Sequence, residues 1–191
     1  MLLTADMISR DDLPARVNWI NDPRVNEFMY FKLPVTLQGT LKWFEKVSRN
    51  YDRYDLVFRS EDETPVGMSG ITAINASFHN GEFYIFINPD MQGLGAGKAI
   101  TAWMLDYGFT TLGLAKIYLY VDGENLPAVH LYEQIGFVRE GNLRQHRYKN
   151  GSYHDKLVYG MLRQEWLSEH KARSGSDSCR VVTSVDMLRS A

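Results

Sequence analysis

Residues 85–98 read Ile85-Phe86-Ile87-Asn88-Pro89-Asp90-Met91-Gln92-Gly93-Leu94-Gly95-Ala96-Gly97-Lys98: an apolar strand, a break at a proline, then glycines at alternate positions. Alternating glycines let the backbone bend tightly, so successive N–H groups can converge on one hollow. Beyond the loop, Ile100, Met104 and Tyr107 or Gly108 form one stripe and Gly113 is a natural stop, which predicts a helix over Ala99–Leu112. A helix start contributes N–H groups without intrahelical partners and the positive end of the dipole. Together they predict a phosphate site. Two familiar phosphate loops fail on spacing. A nucleotide-triphosphate loop needs its first glycine where Gln92 stands and a hydroxyl residue where Ala99 stands. A dinucleotide fingerprint needs GxGxxG in a βαβ unit, and the pattern here is GxGxG. A glycine-rich turn that binds nothing is the remaining alternative, although a turn requires fewer glycines.

Outward from this loop, Leu56–Arg59, Val66–Ile74 and Glu82–Ile87 read as strands, with Asn80-Gly81 as a turn before the third. Downstream, Ile117–Val121 is a strand, Leu126–Ile135 a helix and Phe137 to about Arg147 a strand. Asn150-Gly151 is a two-residue hairpin signal, returning through Lys156–Leu162. Upstream, Met1 to Ile8 can be a first strand. Ser9 caps a helix carrying Leu13, Val17 and Ile20 that Asn21-Asp22-Pro23 stops, Val25–Phe31 is irregular or a short helix, and Thr36 caps another carrying Leu37, Leu41, Phe44 and Val47. The order is mixed α/β (α+β), a largely antiparallel sheet of six to seven strands flanked by helices.

The totals exclude several classes. Lys and Arg number 21 against 23 Asp and Glu, a net of −2, so nucleic acid is not the expected partner. Apolar runs are too short to span a membrane, and the amino terminus lacks the pattern of an export signal. The one cysteine, Cys179, excludes an internal disulfide and a CxxC metal site, and a cytoplasmic location is expected. From Gln164 the chain turns polar, and Ser174-Gly175-Ser176-Asp177-Ser178 reads as a linker. The expected organisation is one domain over residues 1–165 and a polar tail over 166–191, flexible or docked on a partner.

Gln92-x-x-Gly95-x-Gly97 resembles the Q/R-x-x-G-x-G/A signature of the GNAT superfamily of N-acetyltransferases. Asn125-x-x-Ala128-x-x-Leu131-Tyr132-x-x-x-Gly136-Phe137 is similar to that family's fourth-helix motif. Gly151-Ser152-Tyr153-His154-Asp155 resembles the last strands of its ribosomal-protein branch. Trp19-x-Asn21-Asp22-Pro23-x-Val25 and Met29 resemble the first helices of that branch and of nucleotide-linked amino-sugar acetyltransferases. The likeness covers about residues 1–165.

The resemblance implies acetyl-CoA or another short acyl-CoA as cofactor, no metal, and a small-molecule amine as acceptor. The loop Gln92, Gly93, Leu94, Gly95, Ala96, Gly97 and Lys98 would bind the pyrophosphate, with Phe86, Ile87 and Asn88 at the strand end. Asn125 would bond the pantetheine arm, or simply cap its helix. Tyr132 would protonate the leaving thiolate as general acid, or be a core tyrosine. The resemblance also implies that the strand holding Glu82 splays from the Ile117–Val121 strand to admit pantetheine. Glu82 is the first choice of general base, with a solvated glutamate as the plain alternative and His79 and His154 as others. Met29 and Tyr30 belong to the region that walls the acceptor pocket in similar enzymes. Arg144, Arg147 and Lys149, with His146, could hold a nucleotide diphosphate. An amino-sugar nucleotide is narrowly preferred as acceptor over a protein amino terminus, a polyamine or an aminoglycoside. A non-catalytic acyl-CoA-binding module is the alternative from another class. A homodimer is open to this sequence.

Overall fold

The computed structural model describes residues 1–170 and 180–183; the segment 174–178 and Cys179 lie outside them. In chain order the elements are β1 (Leu2–Met7), α1 (Leu13–Asn21), α2 (Pro23–Asn26), α3 (Leu37–Val47), β2 (Tyr54–Ser60), β3 (Pro65–Asn75), β4 (Asn80–Ile87), α4 (Ala96–Thr110), β5 (Lys116–Asp122), α5 (Leu126–Ile135), β6 (Val138–Lys149), β7 (Ser152–Leu162), α6 (Arg163–His170) and β8 (Arg180–Thr183). The strands form one mixed sheet in the order β6-β7-β5-β4-β3-β2-β1-β8. Two neighbouring pairs are parallel, β4 with β5 and β1 with β8; the rest are antiparallel.

Local chemistry accounts for most boundaries. Thr36 accepts from Gly39 N at 3.1 Å and opens α3, while Asp22 accepts from Arg24 N at 2.8 Å and opens α2 behind Pro23. Asn150 and Gly151, at φ of 50° and 85°, supply the two left-handed residues of the β6–β7 turn. The turn expected at Asn80-Gly81 is instead Ala76–His79, and both residues begin β4. A Cβ on Gly81 would stand 2.5 Å from Ile71 Cγ2, so this glycine serves close packing rather than a turn.

Helices cover both faces. On one, Ile100, Met104, Leu105 and Phe109 of α4 and Tyr132 and Ile135 of α5 pack on Ile71, Phe83, Ile117 and Leu119. On the other, Trp19 and Val25 pack on Val57, Met68 and Phe86. Position 166, where the polar tail was expected to begin, carries a tryptophan only 5% exposed in the first core, and β8 lies beside β1, pairing Leu2 to Ala5 with Arg180 to Thr183.

The pairing of β4 with β5 decides where a ligand can enter. It runs only from Asn80–Lys116 to Glu82–Tyr118. Past that point β4 stays with β3 as far as Ile87, and β5 stays with β7 as far as Asp122. The two strands therefore part in the middle of the sheet.

Removing the Trp166 side chain leaves a large cavity beside α4, and such truncations cost about 3–5 kcal/mol. Trp166→Ala should lower the urea midpoint accordingly with little change in slope; a midpoint within error of the parent would take α6 out of the core.

Candidate active site

The loop leaving β4 is fixed at both ends. Asn88 accepts from Asp90 N at 3.1 Å and donates to Pro65 O at 3.1 Å, anchoring the strand exit. Gly93 and Gly95 then take φ of 76° and 84°, a region that penalises other residues, and Gly95 is the cap of α4. A Cβ on either would meet no atom within 4 Å. The backbone angle, not crowding, demands glycine, and the face above the loop is open. Ala99 N donates to Gly95 O as the first rung of α4, so the amides of the preceding turn lie beside the loop. This arrangement fits a phosphate group.

A cleft of about 570 Å³ runs from this loop into the gap between β4 and α5. It gathers Phe86, Ile87, Gln92, Gly93, Gly97, Asn125 and Tyr132 from the residues nominated by sequence. Asn88, Leu94, Gly95, Ala96 and Lys98 do not line it: Ala96 is buried in the core, Leu94 faces solvent, and Asn88 turns to Pro65. Arg24, Val25, Glu27, Phe28, Ala128 and Leu131 also line it, and sequence reasoning missed Ile85, Met91 and Pro127. Their only signal was apolar periodicity, which reads as core.

Asn125 caps α5, its Oδ1 accepting from Ala128 N at 3.2 Å, and also lines the cleft. Tyr132 is 7% exposed, edge-on to Phe83 and Phe137 at centroid distances of 6.3 and 5.7 Å. Burial alone raises its hydroxyl pKa, so the phenol keeps its proton at neutral pH.

A second cleft of about 310 Å³ adjoins the first, sharing Phe28 and Met29 with it. Tyr30, Phe31, Glu82, Tyr120, Asp122, Arg147 and Lys156 complete its lining. Desolvation pushes the Glu82 carboxyl above its ordinary pKa, and the nearby Lys156 and Arg147 cations oppose that push. The Tyr30 hydroxyl donates to the Asp122 carboxylate, which also accepts from Glu124 N at 2.9 Å. Arg147 lies 5.1 Å over the Tyr30 ring, and its buried Nε has no hydrogen-bond partner among the described residues. Lys156 sits 4.0 Å over the Tyr120 ring.

The expected basic hairpin cluster needs correction. Arg147 lines the cleft, but Arg144 and His146 are exposed on β6 and line neither cleft. The Lys149 ammonium is engaged by the backbone carbonyls of Asn26, Glu27 and Met29. The two histidines weighed as bases lie outside both clefts. His79 is in the β3–β4 turn, and His154 bonds Ser152 Oγ at 2.8 Å and Glu124 Oε2 at 3.1 Å. Asp122, Glu124 and His154 bring candidate metal-ligand atoms within 4.8 Å, but each already holds hydrogen bonds within the fold.

Among the described residues no helix is long and apolar enough to cross a membrane. The family model "Acetyltransferase (GNAT) domain" matches residues 3–138. The spermidine N(1)-acetyltransferase of Escherichia coli (strain K12) is 33% identical over 142 residues, covering 68% of this chain and 76% of that protein. The spermidine N(1)-acetyltransferase of Vibrio cholerae is 34% identical over 140 residues, covering 66% and 81%. A crystal structure of spermidine N-acetyltransferase from Vibrio cholerae in complex with CoA and spermine superposes with a TM-score of 0.83 at 32% identity, covering 86% of this chain and 98% of that one. With the split sheet and the glycine loop, these matches identify the chain as a member of the GNAT superfamily, an acetyl-CoA-dependent N-acetyltransferase.

Proposed function

We propose that this enzyme acetylates a primary amine of a polyamine, bound in the cleft of Glu82, by direct attack on acetyl-CoA bound in the cleft of Tyr132. The observation that carries the reading is the placement of a carboxyl and a phenol in two clefts that meet at Phe28 and Met29. Acetyl-CoA supplies the activated acyl group as a thioester. The Gly93–Lys98 turn receives its pyrophosphate, and Asn125 offers its remaining amide hydrogens to the pantetheine arm. Glu82, once ionised, takes a proton from the acceptor ammonium so that a neutral amine attacks. Backbone N–H groups at the Phe86–Asn88 strand end polarise the carbonyl. Tyr132, kept protonated by burial, gives its proton to the departing sulfur, and the proton that the attacking nitrogen sheds as the amide forms restores the phenol. No protein nucleophile takes part.

The polyamine acceptor rests on the spermidine acetyltransferases among the relatives and on the Glu82 and Asp122 carboxylates, which suit a cation. The amino-sugar nucleotide preferred from sequence has weaker support: Arg147 alone of its proposed phosphate ligands lines the cleft. One observation still favours an acceptor bearing an anionic group beside its amine. Among the described residues Arg147 and Lys156 face the cleft without an acidic hydrogen-bond partner, and both would repel a second ammonium.

Free-thiol release with spermidine, a nucleotide-linked amino sugar and an unacetylated peptide, at low and high salt, separates these acceptors. Spermidine should turn over fastest. Faster turnover of the phosphate-bearing amine, weakened by salt and by Arg147→Gln, would transfer the assignment to the second reading.

Tyr132→Phe should keep coenzyme A affinity and lower kcat by roughly 10²–10⁴-fold. Unchanged single-turnover kinetics would reduce Tyr132 to packing. Because the raised Glu82 pKa keeps its carboxyl protonated to higher pH than an ordinary glutamate, kcat/KM should fall as pH drops through that pKa. Glu82→Gln should abolish this lower limb while the limb set by the acceptor amine remains; a parent-like profile in the variant would exclude Glu82 as base. Gly95→Val should fold yet weaken coenzyme A at least tenfold in calorimetry, since the φ of 84° is closed to a β-branched residue. Equal affinity would remove the phosphate from this loop.

A further inference from the structure

The carbonyl oxygens of Asn26, Glu27 and Met29, with the side-chain Oδ1 of Asn26, surround one point just after α2. That point is filled by the ammonium of Lys149, the last residue of β6. It donates to Met29 O at 2.5 Å, Glu27 O at 3.0 Å and the Asn26 carbonyl, with Asn26 Oδ1 at 3.2 Å. An ammonium has three hydrogens, and here three backbone carbonyls are available to accept them.

The loop needs this. α2 is a single turn, and residues 27–32 belong to neither helix nor strand, so their polar groups have no ladder to join. Phe28 and Met29, inside the caged segment, line both clefts, and Tyr30 follows in the acceptor cleft. The Lys149 ammonium also lies 5.5 Å from the Tyr30 ring, while Arg147 lies 5.1 Å from it. Thus the hairpin holds the wall between the clefts by its main chain and by its aromatic side chain. Lys149 lines neither cleft itself.

We propose that Lys149 is a positioning residue: its ammonium, lodged in the oxygen cage of residues 26–29, fixes the wall shared by the two clefts and thereby sets which amine the acceptor cleft admits. The inference rests on the reading that the Glu82 cleft takes the acceptor, but not on that acceptor being a polyamine. It concerns shape, so its loss shows first in acceptor selectivity and only secondarily in chemistry.

Lys149→Met keeps the length of the stem and removes the donors; Lys149→Gln keeps one donor group and serves if the first variant does not fold. Expected are a rise of roughly tenfold in acceptor KM, from the loss of charged hydrogen bonds, and a fall in the kcat/KM ratio between the best amine and a bulkier one. Coenzyme A affinity should change by less than threefold, and amide exchange at residues 27–31 should accelerate at least tenfold with β2 and β3 unaffected. Parent-like selectivity and exchange would overturn the proposal. So would an equal loss toward every amine with a lowered melting temperature, since that is what a purely structural lysine gives. If spermidine is not turned over, the polyamine reading fails alone, and the ratio is measured on whichever amines the parent accepts. If none is, exchange at residues 27–31 decides.

Discussion

Two parallel strands that pair at one end and part at the other are the constraint on which this molecule is built. β4 and β5 share only the pairs from Asn80–Lys116 to Glu82–Tyr118. Beyond these, each keeps its other neighbour, so the opening costs no strand its place in the sheet. Main-chain groups along the opened edges are then available to a ligand that carries its own amides, as the pantetheine arm of coenzyme A does. The opening also puts Glu82, at the last paired position, beside the smaller cleft while Phe86, further along β4, borders the larger. One strand thus borders both clefts.

Behind that strand the protein keeps a charged yet mostly buried layer. Tyr84, between Glu82 and Phe86 on the same face of β4, donates to Asp55 at 2.5 Å, and Asp55 accepts from Arg53 at 2.6 and 2.7 Å. The guanidinium of Arg16 lies 4.1 Å from the Trp43 ring and 5.5 Å from that of Phe86. Burial lowers the Arg16 pKa, while Asp55 and Tyr84 partly offset the loss of water. Arg16 therefore links α1 to α3 and to β4 through ring faces.

The glycine loop, the cap of α5 and the hairpin turn were legible in the sequence because each is dictated locally. Positive φ needs glycine, a helix start wants an acceptor side chain, and Asn150-Gly151 matches the twist of two antiparallel strands. Asn80-Gly81 misled for an instructive reason: the same dipeptide suits a turn and a point of close strand packing, and only Ile71, ten residues upstream, decides between them. The tail reading depended on composition, which registers the polar residues around Trp166 but not the hydrophobic space it fills. Among the site residues, Tyr132 and Glu82 had motif or alternation behind them. Ile85 and Lys156 had neither, because their roles arise from the parting of β4 and β5. Lys149 and Arg147, two residues apart on one strand, looked equivalent in sequence. In the fold one is spent on backbone oxygens and the other faces the smaller cleft.

The short parallel pairing of β8 with β1 alters what this protein shows to its own kind. A sheet ends in two edges, and exposed edges invite other chains to add strands. One outer strand here, β6, is defended by irregular register between Arg139 and Gly141 and between Leu143 and Arg147, and by Arg139, Glu140 and Arg144 along it. The Leu2–Met7 edge carries no such charges apart from Asp6, and Arg180–Thr183 lies across most of it. Arg180–Thr183 thereby replaces β1 as the outer strand on this side of the sheet. A preparation cut before Arg180 would lay bare the main-chain donors and acceptors of β1, so its solubility, rather than its catalysis, is where the missing strand would be felt.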